Sequence, residues 1–98
     1  MYIARFEKTP NEEKRYNVDY INWLGPAETI SSVVFTVVTN SIVIPFSVDA
    51  YQISVDGKSI SFFVVGGELN TQYDLDISIT TSDGQIKESL VLFIVQGP

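Results

Sequence analysis

The sequence predicts an all-β protein, an antiparallel β-sandwich of about seven strands preceded by an extended N-terminal arm. Three observations carry that expectation. A period of two recurs along the 98 residues, most cleanly where Tyr73, Leu75, Ile77 and Ile79 alternate with Asp74, Asp76, Ser78 and Thr80. Such alternation marks a half-buried strand. Turn residues punctuate the chain at intervals of roughly eight to twelve positions, the spacing of a sandwich. No apolar pattern at i, i+3, i+4, i+7 outlasts one turn, so helices are not expected. A chain of this length is one domain that buries roughly 65% of its unfolded surface without covalent staples.

Residues 1–15 show no sustained strand pattern, and Pro10-Asn11 reads as a turn. They are assigned to the arm, and residues 16–98 to the sandwich. The first strand alternates through Tyr16, Val18 and Tyr20 and stops at Gly25-Pro26. The second covers about 30–38, where Ile and Val give β-branched density. After the turn Thr39-Asn40-Ser41, a short strand is expected over 42–46, ending near Pro45. Strands at 51–55 and 59–65 flank Asp56-Gly57-Lys58, a hairpin loop in which Gly supplies positive φ. Gly66-Gly67 breaks the run, and a long hairpin from Tyr73 to Val95 turns at Ser82-Asp83-Gly84-Gln85. Tyr73 stands where a tyrosine corner would place its hydroxyl on the preceding loop, or else is an ordinary core tyrosine.

The last strand departs from alternation. Leu90 to Val95 is apolar at every position, and a strand with two apolar faces must cover both. Val91, Phe93 and Val95 are taken as the surplus face. Ile3 and Phe6 of the arm, or another protein, would cover it, because apolar stripes of this size are rare on monomers. Substituting Val91 or Phe93 by Asp is then expected to leave a folded monomer that cannot assemble. The arm itself is expected to order only within an assembly.

Composition narrows the chemistry. The chain has no Cys and no His, which removes disulfides, thiol catalysis, the commonest general base and the commonest transition-metal ligand. Net charge is −6, against nucleic-acid binding, which needs clustered cations. Arg5, Lys8, Lys14 and Arg15 put four of the six basic residues in the arm. From Tyr16 onward Lys58 and Lys87 face nine acids, a balance of −7. A slightly basic arm therefore precedes an acidic domain, and it would dock on an acidic neighbour or on its own domain. No apolar h-region opens the chain and no apolar run is long enough to span a bilayer. Synthesis in the cytoplasm without a membrane partner is the expectation.

Polar constellations are weak. Asp74 and Asp76 share a strand face, with Asp56, Asp83 and Glu88 in possible reach. Paired carboxylates can serve acid–base work or calcium, but calcium-loop spacing is absent and a solvated strand face explains them. No catalytic residue, metal site or cofactor is expected. Gly66-Gly67 is too short to cradle phosphate. Tyr16, Tyr20 and Trp23 could form an aromatic ligand or interface patch, or fill the core.

Lys8-Thr9-Pro10-Asn11-Glu12 followed by Tyr16-Asn17-Val18-Asp19-Tyr20-Ile21-Asn22-Trp23-Leu24 resembles the opening of the fiber-tail adaptor family of small tailed-bacteriophage virion proteins. That opening runs Lys-x-Pro-x-Glu, a gap, Tyr-x-Ile/Val-Asp-aromatic, then aromatic-Leu. The likeness continues through residues 30–37, Gly66-Gly67, Tyr73 and 79–84. Tyr20 stands where tryptophan is usual, and Val91 and Phe93 stand where the closing strand is usually polar. The resemblance implies an immunoglobulin-like module, in several symmetric copies, that joins tail or neck to fiber components in the virion. Its partners would be other virion proteins and copies of itself. A capsid decoration protein and a glycan- or receptor-binding module are the alternatives.

Overall fold

A computed structural model of the chain describes residues 2–38 and 46–97. Seven strands are present among them: β1 (Tyr2–Lys8), β2 (Lys14–Asp19), β3 (Ile30–Val37), β4 (Ser47–Ile53), β5 (Ser59–Val65), β6 (Thr71–Thr81) and β7 (Ile86–Val95). They form a four-stranded sheet ordered β1-β7-β6-β3 and a three-stranded sheet ordered β2-β5-β4. The two pack face to face as a sandwich. All pairings are antiparallel except that of β1, which runs parallel to β7. Alternation along β5 and β6 sends every second side chain inward, so that Ile60, Phe62, Val64, Leu75, Ile77 and Ile79 are almost wholly buried.

Two strands depart from the sequence reading. Residues 2–8, read as patternless, form β1. Phe6 pairs with Phe93 and Lys8 with Val95, and the strand has too few apolar residues to register as a period. It is held by backbone pairing and by Phe6, whose ring centroid lies 4.8 Å from that of Tyr16 and 5.3 Å from that of Phe93. The arm thus seats on its own domain as an edge strand of the four-stranded sheet. The short strand expected over 42–46 lies outside the described residues except for Phe46, which is buried and stacked on Tyr73 at 4.8 Å.

Specific polar contacts tie down the loops. The Tyr73 hydroxyl accepts the backbone N–H of Glu68 at 2.8 Å, a tyrosine corner at the start of β6. Together with the sheet partition, it is consistent with an immunoglobulin-like arrangement. Lys58 Nζ donates to the carbonyls of Gly25, Pro26 and Glu28, and Lys87 Nζ donates to that of Trp23 at 2.9 Å. The β2–β3 connection is therefore pinned from both sheets. Gly57 turns with φ +73, and a Cβ there would lie 2.6 Å from Thr29 Cβ, so this close approach requires glycine.

Candidate functional site

The side chains expected to form an interface stripe are core. Val91, Phe93 and Val95 are 0% exposed and cannot meet a partner in this fold. The reason is register. Across β6 and β7, Tyr73 pairs with Phe93, Leu75 with Val91 and Thr71 with Val95, and directly opposed residues share a face. Since Tyr73 and Leu75 point inward, so do Phe93 and Val91. Phe93 sits amid four rings, with centroids at 5.3 Å (Phe6), 5.0 Å (Tyr16), 5.1 Å (Phe46) and 6.4 Å (Phe62). Ile3 and Phe6 pack against this core from β1. The aromatic patch is divided too. Tyr16 and Tyr20 are buried, the Tyr20 hydroxyl lies 2.8 Å from Ser89 Oγ, and only Trp23 is exposed, edge-on to Tyr20 at 5.7 Å.

The surplus apolar face of β7 is its other one. Leu90, Leu92 and Ile94 alternate with the core positions and are half-buried on the outer surface of the four-stranded sheet. On β6 they stand opposite Asp76, Asp74 and Gln72, and on β1 Leu92 and Ile94 stand opposite Arg5 and Glu7. Tyr2 reaches across β7 and donates its hydroxyl to Asp74 Oδ1 at 2.6 Å. An apolar ridge therefore runs along β7 between carboxylates, with Ile86 at its upper end 67% exposed. Beside Leu90 the surface sinks into a depression of about 280 Å³ lined by Asp76, Glu88, Ser89 and Leu90. Asp76 Oδ1 is buried and has no hydrogen-bond partner among the described residues.

Turn geometry held the signal that would have assigned the two faces. The β6–β7 turn closes with Thr81 N–H on Gln85 O at 2.8 Å and Gly84 N–H on Thr81 O at 2.9 Å. Counting outward from that turn sets Asp74 and Asp76 opposite Leu92 and Leu90.

The Lys8-Thr9-Pro10-Asn11-Glu12 segment is a staple. Lys8 is buried, and its Nζ donates to the carbonyls of Thr9 at 2.7 Å and Gly66 at 2.6 Å. Burial holds its ammonium pKa below the ordinary value. Glu12 Oε1 accepts the Thr9 N–H at 2.7 Å, closing the turn into β2. Among the described residues no group of three carboxylates is placed to hold a metal ion.

Residues 8–93 match the family model described as Podophage GP4 fiber-tail adaptor protein gp77. No match is found among proteins of curated function.

Proposed function

The chain belongs to the podophage GP4 fiber-tail adaptor family, and on that footing we propose that it is a non-enzymatic joint of the virion, its copies arranged symmetrically between tail or neck and fiber proteins. The observation that carries the reading is the outward ridge Leu90, Leu92 and Ile94, an apolar surface on a sheet whose inner face is already filled. An interface needs such a dry centre with a polar rim, and the flanking Asp74, Asp76, Arg5 and Glu7 supply the rim. Burial of Tyr16 and Tyr20 removes two of the three rings that a glycan platform would need. Synthesis in the host cytoplasm and incorporation into the particle complete the reading.

Leu92→Asp tests it. The variant is expected to fold, with an unchanged circular dichroism spectrum, and to yield particles that lack fibers. Particles with normal fibers would refute the assignment of this face. Fibered particles with fragile capsids would point instead to capsid decoration.

A further inference from the structure

Among the described residues the two sheets end on four strands, β1 and β3 in one and β2 and β4 in the other. Each such edge is a row of backbone groups to which a further strand can pair, and proteins blunt their edges for that reason. Three of the four are blunted here. β1 carries Arg5, Glu7 and Lys8, and β2 carries Lys14, Arg15 and Asp19. β4 holds Asp49, and its register shifts beside Ala50, which sits at φ 50. β3 has no charge and no proline, and its one irregularity, between Ile30 and Ser32, leaves 32–37 regular. One bond fixes which groups of that stretch face outward. The Val38 N–H donates to Asp74 O at 3.0 Å. The two-residue repeat of the ladder then turns the backbone of Thr36 and Val34 toward β6, and that of Val37, Phe35 and Val33 toward the open edge. Side chains along the edge are uncovered to match. Phe35 and Val37 face the core yet are only half-buried, while Val34 on the outer face is 61% exposed. Tyr51, also exposed, lies against Phe35 with 5.8 Å between ring centroids.

We propose that β3 pairs with β3 of a second copy of this chain, antiparallel and centred on Phe35, to make one continuous sheet across the two domains. The inference goes beyond the adaptor reading and stands on the edge alone. The strand suits itself as a partner. Having no charge, it meets its own copy with no like charges opposed. Only the register centred on Phe35 uses all three outward residues. Phe35 then opposes Phe35 of the second copy, and Val33 opposes Val37 on both sides of the axis, for about six backbone bonds. Directly opposed residues share a face, so the two Phe35 rings close the half-open inner side. On the outer side Val34 stands opposite Thr36, a β-branched pair of the kind that stabilises sheets. The twofold axis is normal to the sheet, so both outer faces point the same way. The two β7 strands lie five strand spacings apart, about 24 Å.

The test is the mass of the isolated protein in solution over a dilution series, by light scattering and sedimentation. The expected result is a dimer that dissociates on dilution. Val37→Pro removes an N–H that faces the open edge and spares the domain's own ladder. By symmetry it deletes two bonds between the copies, so the dimer should weaken about tenfold or more. Cysteine variants read the register on the exposed face, since the chain has no Cys of its own. Val34→Cys mixed with Thr36→Cys under oxidising conditions should give a disulfide-linked dimer of one chain of each, because directly opposed residues come within disulfide range. Neither variant alone should link, its cysteines then lying on a diagonal. If Val37→Pro does not fold, the cysteine pair decides. A monomer at every concentration overturns the proposal. So does a dimer that keeps its affinity in Val37→Pro, or one whose single-cysteine variants link as readily alone as mixed. Leu92→Asp, on the far side of β6, should leave the mass unchanged, so failure of this edge and failure of the β7 ridge are read separately. A monomeric Leu92→Asp would place the contact on the ridge and overturn the edge.

Discussion

Phe93→Ala separates the two faces of β7 most sharply. The Phe93 side chain is 0% exposed and touches rings from β1, β2, β5 and the segment before β4. Removing it deletes an entire ring from a site bounded by backbone on both sheets, where collapse is restricted. Truncations of this kind cost about 3–5 kcal/mol. A domain of 98 residues has a total stability of about 5–15 kcal/mol, so the loss is a large share of the whole. At about 4–8 °C per kcal/mol for a domain of this size, Tm should fall by at least about 12 °C. Leu92→Ala, one position away on the half-buried outer face, should cost less than about 1.5 kcal/mol, in line with its partial burial. Urea unfolding of both variants, followed by tyrosine and tryptophan fluorescence, measures the pair. If Phe93→Ala costs less than Leu92→Ala, the faces of β7 have been assigned the wrong way round.

Two more outcomes follow from individual contacts. Tyr73→Phe removes the acceptor of the Glu68 N–H and should cost about 1–2 kcal/mol, with faster hydrogen exchange at Glu68; unchanged exchange there would show that the corner is not formed. The Gly25 N–H, then the Thr81 hydroxyl, hold the Glu28 carboxyl below its ordinary 4.5. The unfolded chain therefore binds the extra proton first on acidification. Stability from Glu28 is full above pH 4.5 and is lost as pH falls through the lowered value. Glu28→Gln should flatten the acid limb of urea midpoints against pH, and an unaltered slope would refute the contact.

Strands with a core face and a wet face were legible in the sequence. β6 shows this best, because Asp74, Asp76, Ser78 and Thr80 mark its outside as plainly as Tyr73, Leu75, Ile77 and Ile79 mark its inside. β7 defeated the same logic, since six consecutive apolar residues carry no phase of their own. Its phase comes from the partner strand through register, a non-local fact. β1 was illegible for a different reason. It is an edge strand with three charged residues among seven, and its place depends on one parallel pairing rather than on its own pattern. The proposed interface was half legible. The strand proposed to carry it was singled out, but its buried face was taken for its outer one.

The parallel pairing of β1 with β7 gives the fold a direction in which it resists force. β1 enters beside Leu90 and ends beside Val95, so tension applied between the start of β1 and the end of β7 pulls the two strands past each other along their length. The backbone bonds between them are then loaded together in shear instead of opening one after another from an end. Lys8, locked to the carbonyl of Gly66, and Gln96, whose N–H bonds Lys8 O at 2.9 Å, bolt the trailing end of that seam. A joint that transmits the drag of a fiber gains from strands laid this way. Stretched between residues 2 and 96 by optical tweezers, the domain should yield at a markedly higher force than when pulled between residues 2 and 90, which face each other across the seam and open it bond by bond from that end. Equal forces in the two geometries would show that the seam bears no load.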